Sequence, residues 1–292
     1  MINKKLLTMA TTVLMISLTF VGCAKNESSD LFEAESEISV VARDAASGTR
    51  GAFHEIMGII QKEGDTEVDK LVVGALEFDG TDKVVTAVEG DKYGIGYISL
   101  GSVSERIKAV AVDGVEPTVE NVKNGEYSVA RPFLLVTKGS ESDIVKDFIA
   151  FTQSDQGQQI VTDLNFIGAA EAPTEYTASG ISGTIKVAGS TSVTPVMEKL
   201  QEAYTELNPN VTFETQSNGS SQGIKAAIDG SYDIGMSSRE LKEDEASELN
   251  KHVLAIDGIA VIINNENPTT SLTGEVITKI YTGEVTTWNE VK

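Results

Sequence analysis

The chain has 292 residues and a formal net charge of −21, because 44 acidic residues outnumber 23 basic ones. So negative a chain is a poor candidate for binding nucleic acid or anionic membrane surfaces. Its single cysteine, Cys23, excludes an internal disulfide and a cysteine-pair metal site. The hydrophobic fraction of 40% is typical of a globular protein, and the length suffices for two lobes of an α/β type.

The N-terminus has the pattern of a secretory signal peptide, which we place at residues 1–22. Two lysines precede an apolar stretch that is too short, and wrongly flanked, for a stable membrane span. Residues 20–23, Phe-Val-Gly-Cys, resemble a bacterial lipobox, in which the cysteine becomes the lipidated first residue of the mature protein. Phe20 departs from the usual leucine, so the alternative is a plain signal peptide that is cut elsewhere, with Cys23 incidental.

A lipid on Cys23 would hold the mature protein at the extracytoplasmic face of the cell membrane. The following residues are polar and acidic, and we expect residues 23–37 to form a flexible, lipid-anchored tether. Removal of residues 1–22 takes away two lysines and no acidic residue, so the net charge becomes −23. If the protein binds an anion, local N–H groups, hydroxyls and one or two arginines must hold it, because a broad positive field is missing.

From residue 38 onward, apolar extended runs alternate with helical patterns. We predict strands at 38–41, 71–73, 93–100, 107–112, 133–136, 184–188, 211–214, 233–236 and 256–263. We predict helices at 48–60, 81–89, 118–124, 141–153, 155–164, 193–207, 223–229 and 273–281. Residues 168–183 are rich in Gly, Ala, Ser and Thr, which marks a linker. The alternation predicts parallel sheets, whose ligands bind at the carboxyl ends of the strands.

A turn rich in hydroxyl residues joins the first predicted strand to the first predicted helix. The first N–H groups of a helix lack intrahelical partners, and the helix dipole favours negative charge there. Gly48 lets the backbone approach a ligand closely, Ser47 and Thr49 add hydroxyl donors, and Arg43 or Arg50 supplies a bidentate fork. These groups suit an oxyanion such as phosphate. The alternative is a plain helix cap with solvated arginines.

The same kind of turn occurs twice more, at 189–192 and 219–221. All three turns follow the carboxyl ends of predicted strands. A cleft between two lobes would let them converge on one small ligand.

Six segments resemble the phosphate-binding lipoproteins of ABC phosphate importers. They are 43–49 (R-x-x-x-S-G-T), 130–133 (ARPF), 187–192 (VAGSTS), 218–223 (NGSSQG), 233–239 (DIGMSSR) and 280–288 (IYTGEVTTW). The resemblance covers nearly all of residues 38–292. It implies a two-lobed, periplasmic-binding-protein-like (type II) α/β fold with a ligand cleft between the lobes. It also implies a monomeric, cofactor-free receptor, not an enzyme, that binds inorganic phosphate and delivers it to ABC permease subunits.

The order of these segments departs from the common family arrangement, in which G-S-T comes first, the tryptophan segment lies in the middle and S-G-T follows. Here S-G-T comes first and Trp288 lies near the end, so the sequence resembles a circular permutant. The linker at 168–183 would join the old termini. The first lobe would then comprise 131–263, and the second lobe 38–130 continued by 264–292. The alternative is that two incomplete halves pair between chains; we favour one site per chain, because each half-site is present once.

Residue by residue, the resemblance implies that the Thr191 hydroxyl and the Ser192 N–H bind phosphate from the first lobe. The full set of implied ligand residues is Arg43, Ser47, Gly48, Thr49, Thr191, Ser192, Ser220 and Ser238, with Ser190, Ser221 and Arg239 as further candidates. Family members often carry an aspartate near Ser238, which accepts a hydrogen bond from the proton of the ligand. A serine can still accept, so the open question is discrimination against sulfate. Arg239 either contacts the ligand or pairs with Glu240 or Asp244.

Two other functions remain open. A hydrolase would use Ser47 or Ser190 as nucleophile with a neighbouring base. The candidate bases are His54, which we expect on the surface or in lobe packing, and His252, and neither lies in a recognisable motif. No metal-ligand spacing is present, and the acidic run 243–248 is typical of a solvated helix face. The other possibility is a receptor or sensor of the same fold for another oxyanion.

Overall fold

The computed structural model describes residues 31–64 and 66–291. The predicted signal peptide at 1–22 and the predicted lipidation site at Cys23 lie outside these residues. Within the described ranges, no helix combines the length and the apolar character needed to cross a membrane.

The helices and strands follow one another along nearly the whole described chain. The strands are β1 (Ser39–Arg43), β2 (Ile60–Glu63), β3 (Thr66–Asp69), β4 (Leu76–Phe78), β5 (Gly94–Ser99), β6 (Lys108–Ala109), β7 (Ala111–Val112), β8 (Ala130–Lys138), β9 (Ile167–Gly168), β10 (Gly183–Gly189), β11 (Val211–Ser217), β12 (Ile234–Ser237), β13 (Leu249–Ile263) and β14 (Ser271–Leu272). The α-helices are α1 (Gly48–Ile56), α2 (Thr81–Gly90), α3 (Val119–Lys123), α4 (Asp143–Thr152), α5 (Asp155–Asp163), α6 (Thr194–Leu207), α7 (Ser220–Asp229), α8 (Glu243–Ala246) and α9 (Gly274–Thr282).

The main sheet of the described chain has ten strands, with β11-β10-β12-β8-β13-β5-β1-β4 as its path and β6 and β9 paired to β13. Its two ends are parallel, since β10 pairs in parallel with β11 and β12, and β1 with β4 and β5. The centre is antiparallel. Strand β8 is antiparallel to β12 and β13, and β13 is also antiparallel to β5. The prediction of parallel sheets was therefore right for the ends and wrong for the centre.

Most of the buried apolar side chains fall into two large groups. One group gathers around Phe53, Tyr97 and Trp288, and the other around Phe148 and Tyr204. The two long central strands serve both groups: in β13, Leu254 and Ala255 pack in the second group, whereas Ile259, Val261 and Ile263 pack in the first. Strand β1 contributes to the first group through Val40 and Ala42, whereas β10 and β12 contribute to the second through Val187 and Met236.

Several predicted boundaries were wrong for local reasons. Helix α1 ends at Ile56 rather than residue 60, because Gly58 adopts a left-handed backbone with φ of 67°. The chain then forms the β2–β3 hairpin, which was not predicted. Residues 71–73 are not a strand; β4 follows a few residues later. Strand β8 begins at Ala130 rather than residue 133, so Pro132 lies inside it.

The last residues of the predicted tether are in contact with the fold. The Phe32 ring lies 5.3 Å from that of Tyr93 and 6.0 Å from that of Trp288. The Ile38 N–H donates to the Thr286 carbonyl at 2.7 Å. An aromatic side chain and backbone pairing thus fix this segment against the turn that carries Trp288.

The predicted linker at 168–183 has no helix or strand between β9 and β10. It is nevertheless fastened to the fold by one carboxylate. Asp147 Oδ2 in α4 accepts hydrogen bonds from the Tyr176 hydroxyl at 2.5 Å and the Ser179 hydroxyl at 2.9 Å. The same oxygen accepts from Tyr204 of α6 at 2.5 Å, so the segment is tied to two helices.

Candidate anion site

The three predicted turns meet at the boundary between the two apolar groups. Thr49 Oγ1 and Ser192 Oγ share a hydrogen bond of 3.0 Å. Arg43 Nη2 donates to Thr191 Oγ1 at 2.9 Å. The Ser221 N–H donates to the carbonyl of Ala46, in the first turn, at 3.1 Å. Turns that are far apart in sequence are thus in direct contact.

Gly48 makes the closest approach between the first and third turns. A Cβ built on Gly48 would lie 2.3 Å from Ser220 Oγ and 2.8 Å from Ser238 Oγ. Gly48 is the first residue of α1, and Ser47 caps this helix by accepting from the Arg50 N–H at 3.4 Å. The absence of a side chain at Gly48 therefore brings the amino end of α1 onto the serine hydroxyls.

The other side of the site is a cluster of three serines. Ser190 Oγ donates to Ser238 Oγ at 2.9 Å, and Ser238 Oγ lies 3.3 Å from Ser220 Oγ. Ser220 Oγ also accepts from the Ser238 N–H at 3.0 Å. Helix α7 begins at Ser220, three residues before its predicted start, so Ser220 and Ser221 lie in its first turn. All three clustered serines are buried.

Arg43 supplies the positive charge beside these hydroxyls. The residue is 2% exposed. Besides Thr191, its guanidinium donates to the carbonyls of Phe78 at 3.1 Å and Asp79 at 3.2 Å. Burial lowers the pKa of Arg43 below its usual value, and nearby groups, Asp44 first among them, oppose that shift. These two carbonyls orient the Arg43 guanidinium so that it faces the second turn.

Arg50, the other arginine considered for the fork, is used elsewhere. Its Nε donates to Asp69 at 2.9 Å, and its Nη1 is paired with Glu77. Its Nη1 also donates to the carbonyl of Arg43 at 2.9 Å. Although burial opposes it, hydrogen bonding to the two carboxylates raises the pKa of Arg50. Arg50 therefore supports the turn rather than facing the hydroxyl cluster.

Arg239 forms an ion pair, but not with either of the predicted acids. It pairs in bidentate fashion with Glu245, at 2.7 and 2.8 Å, instead of with the carboxylates of Glu240 or Asp244. Glu245 also accepts from the Lys242 N–H at 2.8 Å. The acidic run 243–248 is therefore not a wholly solvated face. Glu245, the third residue of this run, lies inward and pairs with Arg239.

Ser47, Ser221 and Arg239 line a groove of about 530 Å³ beside the buried cluster. Arg239 also reaches α1, since a Cβ on Gly51 would lie 3.3 Å from Arg239 Cδ. These residues are at the rim of the candidate site. The remaining predicted ligand residues lie at its centre.

The histidines are not placed to activate the candidate serines. His54 is fully buried, and not on the surface: its ring nitrogens lie 3.0 Å from Asp69 and 3.1 Å from the Tyr97 hydroxyl. His252 lies 2.7 Å from Glu141. Over the part of the chain that the structure describes, no group of three or more His, Cys, Asp or Glu side chains could hold a metal ion. Hydroxyls, helix amides and one guanidinium can bind a tetrahedral anion but supply no general base.

Sequence reasoning missed a buried ion pair between the two central strands. Arg131 on β8 and Asp257 on β13 are each 1% exposed in their side chains and lie 3.1 Å apart. Ser99 donates to the same carboxylate at 2.9 Å. The two charges are far apart in sequence and lie in apolar runs. Only the register of β8 against β13, which pairs Arg131 with Asp257, reveals them.

Comparisons with known proteins agree with this architecture. A family model described as a PBP superfamily domain matches residues 24–156 and 174–292. The chain is 43% identical over 289 residues to phosphate-binding protein PstS 2 of Streptococcus pneumoniae, with 99% of both chains covered. It is 41% identical over 292 residues to phosphate-binding protein PstS 2 of Streptococcus agalactiae, covering 99% of this chain and 98% of the relative.

A shorter match is to phosphate-binding protein PstS of Staphylococcus saprophyticus, 32% identical over 37% of each chain. Among solved structures, the phosphate-binding protein of a phosphate ABC transporter from S. pneumoniae superposes with a TM-score of 0.73. It is 45% identical, and the match covers 88% of this chain and all of that one. The chain therefore belongs to the PBP superfamily and, within it, to the family of these phosphate-binding proteins.

Proposed function

We propose that this chain is the phosphate-binding component of an ABC phosphate transporter, which captures inorganic phosphate outside the cell membrane and delivers it to the permease. It acts by binding and not as an enzyme. The observation that carries the proposal is the convergence of turns 43–49, 189–192 and 219–221 on one buried hydroxyl cluster beside Arg43. Membership of the family of phosphate-binding proteins supports the same ligand.

The hydrogen-bond pattern of the serines suits an anion. Ser238 Oγ accepts from Ser190, and Ser220 Oγ accepts from the Ser238 N–H. If Ser238 also donates its hydroxyl proton to Ser220, the proton of Ser220 is available to a ligand. Each hydrogen bond to a charged group contributes about 1.5–3 kcal/mol. A few such bonds suffice for tight binding without a positive surface field.

Helix ends and the guanidinium supply the electrostatic attraction. Both α1 and α7 begin at the cluster, at Gly48 and Ser220. Amino ends of helices favour negative charge. Arg43 adds a full charge that its carbonyl partners orient. Local groups therefore offset the net charge of −21 of the whole chain.

We propose specific roles for the residues of the site. Phosphate oxygens accept from the Thr191 hydroxyl, the Ser192 N–H, Ser220 and Arg43, and from the first turn. The proposed set comprises Arg43, Ser47, Gly48, Thr49, Thr191, Ser192, Ser220 and Ser238. Ser190 orients Ser238, whereas Ser221 and Arg239 lie at the rim. Ser238 accepts the proton of the ligand in place of a carboxylate, and discrimination against sulfate depends on how well it does so.

We also infer that residues 131–263 and residues 38–130 with 264–292 move as two lobes that close on phosphate. The two apolar groups support two lobes, but they place the boundary inside β13, because Ile259, Val261 and Ile263 pack with the second lobe. The order of the family segments supports a circular permutation, with linker 168–183 between the old termini. A rearranged chain can be made that begins and ends within 169–182 and in which the Trp288 turn leads directly into the first strand. This chain should fold and bind phosphate. Failure to fold would count against the permutation.

We further propose a lipid on Cys23 that holds the protein at the extracytoplasmic face of the membrane. Metabolic labelling with a fatty acid tests this anchor. The wild-type chain should incorporate the label, and a Cys23→Ala variant should not. Equal labelling of both would refute the anchor and leave the phosphate site untouched.

Calorimetric titration with phosphate tests the function, after bound ligand is stripped and with sulfate and a nucleotide as competitors. We expect one phosphate per chain, which the competitors do not displace. The proposal would be refuted if phosphate produced neither heat nor a change in the stability of the protein. One phosphate per two chains would mean that halves pair between molecules. Displacement by sulfate would favour a receptor for oxyanions in general, the alternative that the serine at position 238 supports.

A further inference from the structure

Side chains hold the backbone of Arg43 at both its N–H and its carbonyl. Parallel pairing of β1 with β5 ends at Val40 and Ile95. Further along β1, the Arg43 N–H donates to the hydroxyl oxygen of Tyr97 at 3.2 Å, so a phenol takes the place of a strand carbonyl. The Arg43 carbonyl accepts from Arg50 Nη1 at 2.9 Å.

These two contacts belong to one closed ring of hydrogen bonds. The Tyr97 oxygen lies 3.1 Å from His54 Nε2, and His54 Nδ1 lies 3.0 Å from Asp69. Asp69 Oδ2 accepts from Arg50 Nε at 2.9 Å, and Arg50 Nη1 donates to the Arg43 carbonyl. The ring therefore starts and ends on Arg43. It ties β1 to β5, to the β2–β3 hairpin and to α1, the helix that begins with the proposed ligand residues.

The ring indicates the proton positions on His54. The Tyr97 oxygen accepts the Arg43 N–H, so we assign the Tyr97 proton to a hydrogen bond with His54 Nε2. His54 is then neutral, with its Nδ1 proton donated to Asp69. Burial lowers the pKa of His54, which agrees with this assignment.

We infer that Tyr97 and His54 are positioning residues of the anion site. They hold Arg43 and the start of α1 where the guanidinium meets Thr191, Gly48 lies against Ser220 and Thr49 meets Ser192. Neither side chain contacts the ligand. This inference rests on the proposed binding of phosphate by those residues.

The ring also makes the site sensitive to acid. A second proton on His54 would place an Nε2–H donor against the Tyr97 oxygen, which already accepts from Arg43. The Tyr97 proton would then lose its acceptor. The charged groups that face His54 are Asp69 and Glu77, which favour the protonated form, and Arg50, which opposes it. Tyr281 of α9 packs against the same ring. Binding should therefore weaken as His54 becomes charged.

Tyr281 offers a matched control for Tyr97. Both phenols are fully buried in one aromatic cluster, with ring centroids 5.5 Å apart. The Tyr281 hydroxyl donates to the Val41 carbonyl at 3.1 Å, two residues before Arg43 on the same strand. Each Tyr→Phe change removes one buried hydrogen bond to β1, but only Tyr97→Phe opens the ring.

The experiment compares phosphate affinity of the full-length wild-type chain, Tyr97→Phe and Tyr281→Phe by calorimetry. We expect binding to weaken about tenfold in Tyr97→Phe, which is about 1.4 kcal/mol, and less than about twofold in Tyr281→Phe. Thermal midpoints should fall in both, since each leaves a buried backbone group unpaired. Equal affinity losses in the two variants, or no loss in Tyr97→Phe, would overturn the inference. Failure of the wild-type chain to bind phosphate would overturn the proposed function as well.

A pH series with His54→Gln completes the test, because glutamine keeps an acceptor for the Tyr97 proton and does not titrate. The titration of phosphate itself is common to both proteins and cancels in the ratio of their affinities. Between about pH 7.5 and about pH 5, the wild-type chain should lose affinity relative to His54→Gln. A ratio that stays constant over this range would overturn the role of His54.

Discussion

Gly48→Ala tests whether close approach of the first turn to the serine cluster is required for binding. The added Cβ would lie 2.3 Å from Ser220 Oγ and 2.9 Å from Ser220 Cβ. Carbon atoms in contact are ordinarily about 3.5–4.0 Å apart, so the two carbons must separate by a further distance of about 0.6–1.1 Å. Because Gly48 and Ser220 belong to different proposed lobes, the strain is relieved when the lobes separate, and neither apolar group is disturbed.

The size of the effect follows from this overlap. Overpacking by a methyl group costs about 1–3 kcal/mol in a close-packed site. If the closed, phosphate-bound state carries that cost, affinity falls about fivefold to about 150-fold. The ligand-free protein should lose little stability, because alanine favours a helix over glycine by up to about 1 kcal/mol. Affinity and stability therefore change in different directions or by very different amounts.

Calorimetry with phosphate and urea denaturation without ligand measure the two quantities. Gly51→Ala is the matched control, one turn along the same helix. Its Cβ would lie 3.3 Å from the flexible Arg239 side chain, and we expect less than about a threefold change in affinity. Wild-type affinity in Gly48→Ala would refute the reasoning. A large loss of stability without ligand would show that the contact belongs to the folded core and not to a closing cleft.

Three further variants test other parts of the account. Arg43→Lys keeps the charge but loses the fork, so calorimetry should show phosphate binding weakened at least about tenfold; unchanged affinity would argue against ligation by Arg43. Arg131→Met leaves Asp257 buried without its partner and should cost about 3–5 kcal/mol in urea denaturation near neutral pH. Burial already raises the pKa of Asp257 to about 6, and loss of Arg131 raises it further. The folded variant then keeps the acid protonated to a higher pH than the wild type does, so the loss of stability should shrink below about pH 6 and grow as the pH rises above it; a loss independent of pH would contradict this. Asp147→Ala frees Tyr176 and Ser179, so limited proteolysis should cut within 169–182 faster while phosphate affinity stays unchanged; equal cleavage rates would show that the carboxylate does not fasten the segment.

The convergence of the three turns was predictable because it depends on strand ends. Gly, Ser and Thr follow predicted strands at 47–49, 189–192 and 219–221, and parallel strands put such turns at one edge of a sheet. The structure brings these turns together, with Thr49 on Ser192 and Arg43 on Thr191. The linker between β9 and β10 was also predictable, since its composition disfavours both helix and strand.

Other features depend on contacts that local patterns do not encode. The period of apolar residues after Phe53 fits a helix up to residue 60, but a left-handed glycine ends α1 early and starts a hairpin. The pairing of Arg239 with Glu245 depends on the backbone of a short helix, which turns one acid of an acidic run inward. Phe32 has no periodic pattern around it, so its packing on Trp288 was invisible in the sequence.

The central antiparallel pair was missed for a related reason. Both β8 and β13 are continuous apolar runs, and such runs do not reveal strand direction. Their register also creates the Arg131–Asp257 pair, so the pair could not be predicted without it. The same limit applied to His54, whose hydrogen-bond partners come from β3 and β5.

A crystal structure of the protein with bound phosphate tests the central claim most directly. We predict one phosphate per chain, in contact with Arg43, Thr191, Ser192 and Ser220 and with the amino end of α1 of the same chain. Phosphate bound outside this cluster, or held by the first turn of one molecule and the serines of another, would contradict the account.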